Sequence, residues 1–250
     1  MEFFKEAESL IKSISQCLIA FFFLALFFFA FGIKQISLFN LNVFLPVPAR
    51  QSFAVLFFEQ IQKDLVPAGV EMIVVSPLSA FLAQAIISLG LALVIGSPFF
   101  IYQFIKYLSP VFSHQEKSKI IKVWIPSIFL FITGCVFAYF LLIPTTLNIH
   151  YEFPIIMGIT PFFVVDEFVM FVLGMTLVSG IMFLLPILMV LLSWFNIIKK
   201  DFWRNNWRYA ASIFLIFSAI ITPDGSGVTM LMLSLPLSGL YFLGYCLILE

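Results

Sequence analysis

The sequence predicts an all-α integral membrane protein: six transmembrane helices, both termini on the cytoplasmic side and a cap loop on the outer side. Composition is the first reason. Of 250 residues, 62% are hydrophobic and 10% charged, with a mean hydropathy of +1.13, whereas a soluble domain carries roughly 25% charged residues. So few charges cannot coat a globule of this size in water. That excludes a soluble enzyme, a nucleic-acid binder and a disordered chain. The second reason is six charge-free stretches: Ser13 to Ile33, Met72 to Ile105, Val123 to Tyr151, Phe168 to Ile198, Tyr209 to Pro223 and Gly225 to Leu249. The third is how the bases divide. With six spans, Lys5, Lys12, Lys106, Lys117, Lys119, Lys122, Lys199, Lys200, Arg204 and Arg208 share one side, and Lys34, Arg50 and Lys63 the other. Basic residues collect on the cytoplasmic side, so both termini are cytoplasmic.

The elements follow in order, as spans of about 13–33, 77–106, 121–144, 166–196, 208–222 and 228–248 in a single membrane domain covering 1–250. Before the first span, Phe3, Phe4, Ala7, Leu10, Ile11, Ile14 and Leu18 recur at helical spacing, opposite Lys5, Glu6, Glu8, Ser9 and Lys12. Such a stretch lies at the interface and runs on into the span. No A-x-A site follows, so the segment reads as a helix rather than a cleavable signal. The first outer loop runs from about Lys34 to Ser76. Leu45-Pro-Val-Pro48 marks a turn there, and Gln51 to Leu65 a short helix with Phe53, Leu56, Phe57 and Ile61 on one face.

Ser76 and Pro77 open the second span as cap and first-turn residue; Gly96 and Pro98 are its bend points. The third span ends near Pro144, the fourth contains Pro186, and the turn Thr222 to Gly227 joins the last two. The fifteen residues from Tyr209 to Pro223 make about 22 Å of helix, against a hydrocarbon core of about 30 Å. Either the turn at Asp224 sits below the outer lipid surface or Arg208 and Trp207 snorkel to lengthen the span.

The sequence offers no covalent chemistry. It has no nucleotide loop and no metal-ligand cluster, so no metal or cofactor is expected. Cys17, Cys135 and Cys246 fall in apolar segments and read as small packing residues. His114 and His150 fall on opposite sides of the membrane. No ionisable residue sits near the middle of a span, which speaks against an ion-coupled carrier. A small-solute carrier or channel stays as the alternative, and a structural subunit without a substrate as a second.

Four motifs go further. The cytoplasmic loop carries Tyr102-Gln103-Phe104, then Pro110 and His114-Gln-Glu116-Lys117. Span three has Gly134, Phe137, Tyr139-Phe140 and Pro144. Span four has Gly180, Phe183 and Pro186. The outer turn and last span carry Thr222-Pro223-Asp224, Thr229-Met230, Leu235-Pro236 and Leu240-Tyr241. In this order and spacing, over about Pro77 to Tyr241, the chain resembles TatC, the core subunit of the twin-arginine protein translocase.

The resemblance implies a non-enzymatic receptor in the cell membrane. It binds the twin-arginine signal peptides of folded cargo and recruits single-span partners of the TatA/TatB type. It forms homo-oligomers in a receptor complex and exports cargo at the expense of the proton-motive force. Nucleic acid has no part. The family's loop carboxylate is Glu116 here, chemically apt because guanidinium groups prefer paired hydrogen bonds to carboxylates. Tyr107 falls where the family has a signal-contacting aromatic, with Gln103 beside it. A second family carboxylate before the first span falls on Glu6 or Glu8, with Glu8 preferred. Thr229, Asp224, Met230 and Ser179 are partner-docking candidates. Pro77, Pro98, Pro110, Gly134, Pro144, Pro186, Pro223 and Pro236 are structural. Three family acids are missing: Leu184 stands at one, Ser79 at another and Phe242 at the third.

Overall fold

The computed structural model describes all residues except 1, 39–40, 49–50, 68–69, 109–116, 196, 223–226 and 250. Its elements are α1 (Glu2–Ala30), β1 (Phe31–Leu38), β2 (Leu41–Pro48), α2 (Phe53–Leu65), β3 (Glu71–Ile73), α3 (Ser79–Leu108), α4 (Lys117–Phe137), a π-helical turn (Ala138–Leu142), α5 (Ile143–Ile156), β4 (Phe162–Val164), α6 (Val165–Met182), α7 (Leu185–Trp194), α8 (Lys200–Asn205), α9 (Trp207–Ile221) and α10 (Val228–Leu249). Four stretches are long and apolar enough to cross a membrane: Ser79–Phe104, Val123–Ile156, Val165–Trp194 and Val228–Ile248. Ile14–Ala30 and Trp207–Ile221 are shorter apolar helices, which gives the six expected. The chain packs as two compact units, residues 1–110 with 162–173, and residues 111–161 with 174–250.

In the first unit α1 lies antiparallel to α3. Leu24 stands over Gly96 and Phe21 over Phe100, while Phe29 meets Phe81 and Gln84. Ala25, Phe28 and Ala92 form the buried seam, flanked by Phe21, Leu24, Phe27, Phe53 and Leu91. Small residues let the backbones approach, which substitutes in lipid for a hydrophobic driving force.

The loop between the first two apolar helices departs from the expected turn at Leu45–Pro48. These residues lie inside β2, antiparallel to β1, with Pro46 opposite Ile33 and Pro48 opposite Phe31. The two prolines are two residues apart, so both lack an N–H on the same edge, the only place a strand accommodates them. A second unforeseen pair, β3 with β4, is parallel.

Ser52 caps α2, its Oγ accepting from the Val55 N–H at 3.4 Å. The inward face of α2 is Ala54, Ile61 and Leu65. Of the expected face only Ile61 is fully buried, because the larger Phe53, Leu56 and Phe57 lie at its margins. One side chain ties cap to helices: Gln84 Nε2 on α3 donates to the Phe29 carbonyl and to Ser52 Oγ, both at 3.1 Å. Gly32 serves the same junction, since a Cβ there would collide with the Gln51 carbonyl.

At the start of α3, Ser76 Oγ accepts from the Leu78 N–H at 3.2 Å, so the serine cap holds. Pro98 lies inside the helix and leaves the Val94 carbonyl without its usual N–H. The Ser97 hydroxyl donates to that carbonyl at 2.7 Å instead.

In the second unit the third span does not end near Pro144. The helix continues through the π turn and α5 to Ile156. The Ile143 N–H reaches five residues back to the Ala138 carbonyl. This wider turn gives the proline ring room that an α turn denies it. Span four is interrupted between α6 and α7, just before Pro186, which takes a first-turn position in α7. Pro236, by contrast, lies inside a continuous α10.

Gly134 lies on α4 where it crosses α6. A Cβ there would stand 2.7 Å from the Ser179 carbonyl oxygen and 2.9 Å from Gly180 Cα; one at Gly180 would stand 2.8 Å from Cys135 Sγ. Two glycines therefore set the crossing of α4 with the second half of α6. Backbone cannot rotate out of the way, so Gly134→Ala is expected to cost about 1–3 kcal/mol. In detergent its melting temperature should fall by roughly 3–10 °C; unchanged melting would show that the crossing tolerates a methyl group.

Candidate functional site

Two groups of residues carry the functional expectation. The first gathers where α1 begins and α3 ends. In the antiparallel register set by Leu24 with Gly96 and Phe21 with Phe100, Ile14 is level with Tyr107. Glu8 lies six residues and Glu6 eight residues nearer the chain start, about 9 and 12 Å further along the helix. The N-terminal stretch thus runs past the end of α3 at Leu108. Both glutamates belong to one continuous helix with the first span, so neither sits on a separate surface helix. Gln103 is buried at 9% exposure, which suits a residue that positions the end of α3 rather than one that meets a ligand. Glu116 and Pro110 lie outside the described residues, and Pro77 stands in the turn before α3.

The second group is hydroxyl-rich and lies in the second unit. Thr229, at the start of α10, is fully buried, Ser179 on α6 is 1% exposed, and Met230 is half-buried. Ser179 Oγ has no hydrogen-bond partner. Asp224 and Pro223 lie outside the described residues. Sequence reasoning missed Ser218 on α9, which is fully buried with its Oγ also unpartnered. One turn on, Thr222 Oγ1 donates to the Ser218 carbonyl at 2.8 Å. Phe214, Ser218 and Thr222 recur every four residues, and that spacing was the available signal for a buried stripe. Leu184, where the resemblance expects an acid, is half-buried in the break between α6 and α7.

A third arrangement, also unforeseen, fixes α8. Trp203 Nε1 donates to Ser193 Oγ at 2.9 Å, and the Tyr241 hydroxyl donates to the Trp203 carbonyl at 2.6 Å. The Trp203 and Tyr241 rings meet edge to face at 6.1 Å, as do Phe214 and Tyr241. The aromatic clasp holds the short helix against α7 and α10. Among the described residues no group of three or more His, Cys, Asp or Glu side chains could hold a metal ion. The three cysteines are free thiols.

Comparison with known proteins gives one family. The family model described as "Sec-independent protein translocase protein (TatC)" matches residues 7–236. A Sec-independent protein translocase protein TatC from Cenarchaeum symbiosum (strain A) is 36% identical over 219 residues, 87% of this chain and 83% of that one. Its namesake from Aquifex aeolicus (strain VF5) is 32% identical over 196 residues, 76% of this chain and 79% of that one. Among solved structures, the twin-arginine translocase receptor TatC crystallised in DDM is 27% identical. It superposes with a TM-score of 0.76 over 97% of this chain and 98% of its own.

Proposed function

The chain belongs to the TatC family of Sec-independent protein translocase proteins, and on that premise we propose that it is the signal-peptide receptor of a twin-arginine translocase. It is a membrane component of a protein translocase and not an enzyme. In this reading Glu116, with Glu8 or Glu6, receives the paired guanidinium groups of the signal, and Tyr107 stacks on one of them. The single observation that carries the reading is likeness over nearly the whole chain to a solved protein described as a twin-arginine translocase receptor. In the sequence Glu116 immediately precedes α4 and follows the last residue of α3 by eight.

TatA/TatB-type single-span helices dock, in this reading, on the exposed apolar side of α9 and α10, which includes Ile216, Ile220 and Leu231. Asp224 and Met230 flank it. With leucine at 184 no intramembrane acid joins the contact, so docking rests on van der Waals packing between helices and is weak and reversible. Both termini are cytoplasmic and the receptor is a homo-oligomer.

The test is genetic. In cells lacking their own TatC but holding the matching single-span partners, this chain should restore export of a folded reporter with a twin-arginine signal. It should not restore export of the same reporter with a twin-lysine signal. Equal export of both would overturn the receptor reading.

A further inference from the structure

We propose that the segment 199–208, built on α8, is a binding site for anionic phospholipid headgroups that fixes the depth of the short α9 span. The segment holds Lys199, Lys200, Arg204 and Arg208 against one acid, Asp201, and all five are exposed. Lys200 and Arg204 are four residues apart and share a helix face. Exposed aromatics interleave with them: Phe202 is 50% and Trp207 43% exposed. The Arg208 guanidinium lies 5.5 Å from the Trp207 ring centre. Cations interleaved with aromatic rings suit the headgroup level, where the rings enter the acyl boundary and the cations meet phosphate.

The segment is also rigidly held. The bonds from Trp203 to Ser193 and from Tyr241 to Trp203 fix α8 against α7 and α10. Tyr241 lies thirteen residues along α10 from Val228, about 20 Å of helix. That rise matches α9, whose fifteen residues make about 22 Å. Two helices thus give the same distance from the α8 clasp to their far ends, Ile221 on α9 and Val228 on α10. Held at the headgroups by its cations, α8 places the whole shortfall against a core of about 30 Å at the other surface. Those helix ends then lie about 8 Å below it.

The experiment uses the full chain in nanodiscs of phosphatidylcholine with a rising fraction of phosphatidylglycerol. Lipids retained on ejection are counted by native mass spectrometry, and melting is followed in parallel. The native chain should retain phosphatidylglycerol over phosphatidylcholine and lose that preference in about 0.5 M salt, because headgroup contacts are screened. Each surface cation contributes roughly fivefold, so Lys200→Gln with Arg204→Gln should lower the preference roughly 25-fold, with melting in pure phosphatidylcholine unchanged. The charge-matched control, Lys119→Gln with Lys122→Gln, should lower it by less than the α8 pair does. No lipid preference in the native chain would overturn the proposal. So would a preference that survives high salt, or one lost in the control pair and kept in the α8 pair. If the α8 pair fails to fold, the salt titration on the native chain still decides.

Discussion

Glu116→Lys is expected to abolish export of a twin-arginine cargo while the chain still inserts and still melts as the native protein does. The reason is electrostatic. A twin-arginine signal brings two cations to one place, and a lysine at 116 turns attraction into repulsion. Glu116→Ala removes the attraction only. Losing a hydrogen bond to a charged group costs about 1.5–3 kcal/mol, so crosslinking to the signal should need about 10–100-fold more peptide. Glu116→Asp keeps the charge, shortens the reach and should do least harm. The order Lys worst, then Ala, then Asp distinguishes a charge contact from a structural role, in which Asp and Lys would both fail. Glu6→Ala and Glu8→Ala, made singly, decide which acid of α1 takes part: the one that matters lowers signal crosslinking, and the other does not. Full export with Glu116→Lys would sink the assignment.

A four-leucine insertion after Phe217 should impair export by an order of magnitude or more and leave signal crosslinking intact. Four residues lengthen α9 by about 6 Å, close to the shortfall that α8 and α10 assign to the outer surface. Mismatch costs fractions of a kcal/mol per Å, so a shortfall near 8 Å is enough to thin the bilayer around α9 and α10. In this account cargo crosses where the bilayer is thinned, so removing the thinning should raise the barrier it meets. The insertion also carries Ser218 and Thr222 one turn further out, away from their places beside α10. Ser218→Ala with Thr222→Val therefore serves as the separate control for the hydroxyls. Those substitutions should leave both partner crosslinking and the depth of Val228, read by lipid-borne quenchers, unchanged, because both hydroxyls are buried inside the chain. Export unchanged by the leucines would show that the short span is incidental.

How much of this was legible in the sequence depends on how far apart the interacting residues lie. The six helices were, because their causes are local: runs without charge, and Lys and Arg at their ends. The Ser76 cap was legible for the same reason, with donor and acceptor two residues apart. The hairpin was not. Pro46 and Pro48 look like turn residues in a local window, and only the pairing with β1 shows that their missing N–H groups cost nothing there. The reach of the third helix to Ile156 was hidden likewise, since Pro144 reads as a stop until the π turn before it is seen. Gln84 lies 55 residues from Phe29, and Tyr241 lies 38 from Trp203. No pattern in the chain connects such pairs. For the site, residue types were legible but not their roles. Thr229 and Ser179 stood out beside family motifs, whereas Ser218 did not, although it shares their burial.

The central claim is that this chain distinguishes a twin-arginine signal by its guanidinium pair. The direct measurement is the affinity of the purified full chain, in nanodiscs, for a fluorescent signal peptide carrying either two arginines or two lysines. Lysine keeps the charge and loses the paired hydrogen bonds. The account predicts tighter binding of the arginine peptide, on the order of tenfold, from about 1.4 kcal/mol of lost hydrogen bonding. It predicts that Glu116→Gln removes most of that difference. Equal affinity for the two peptides, or a difference untouched by Glu116→Gln, would contradict it.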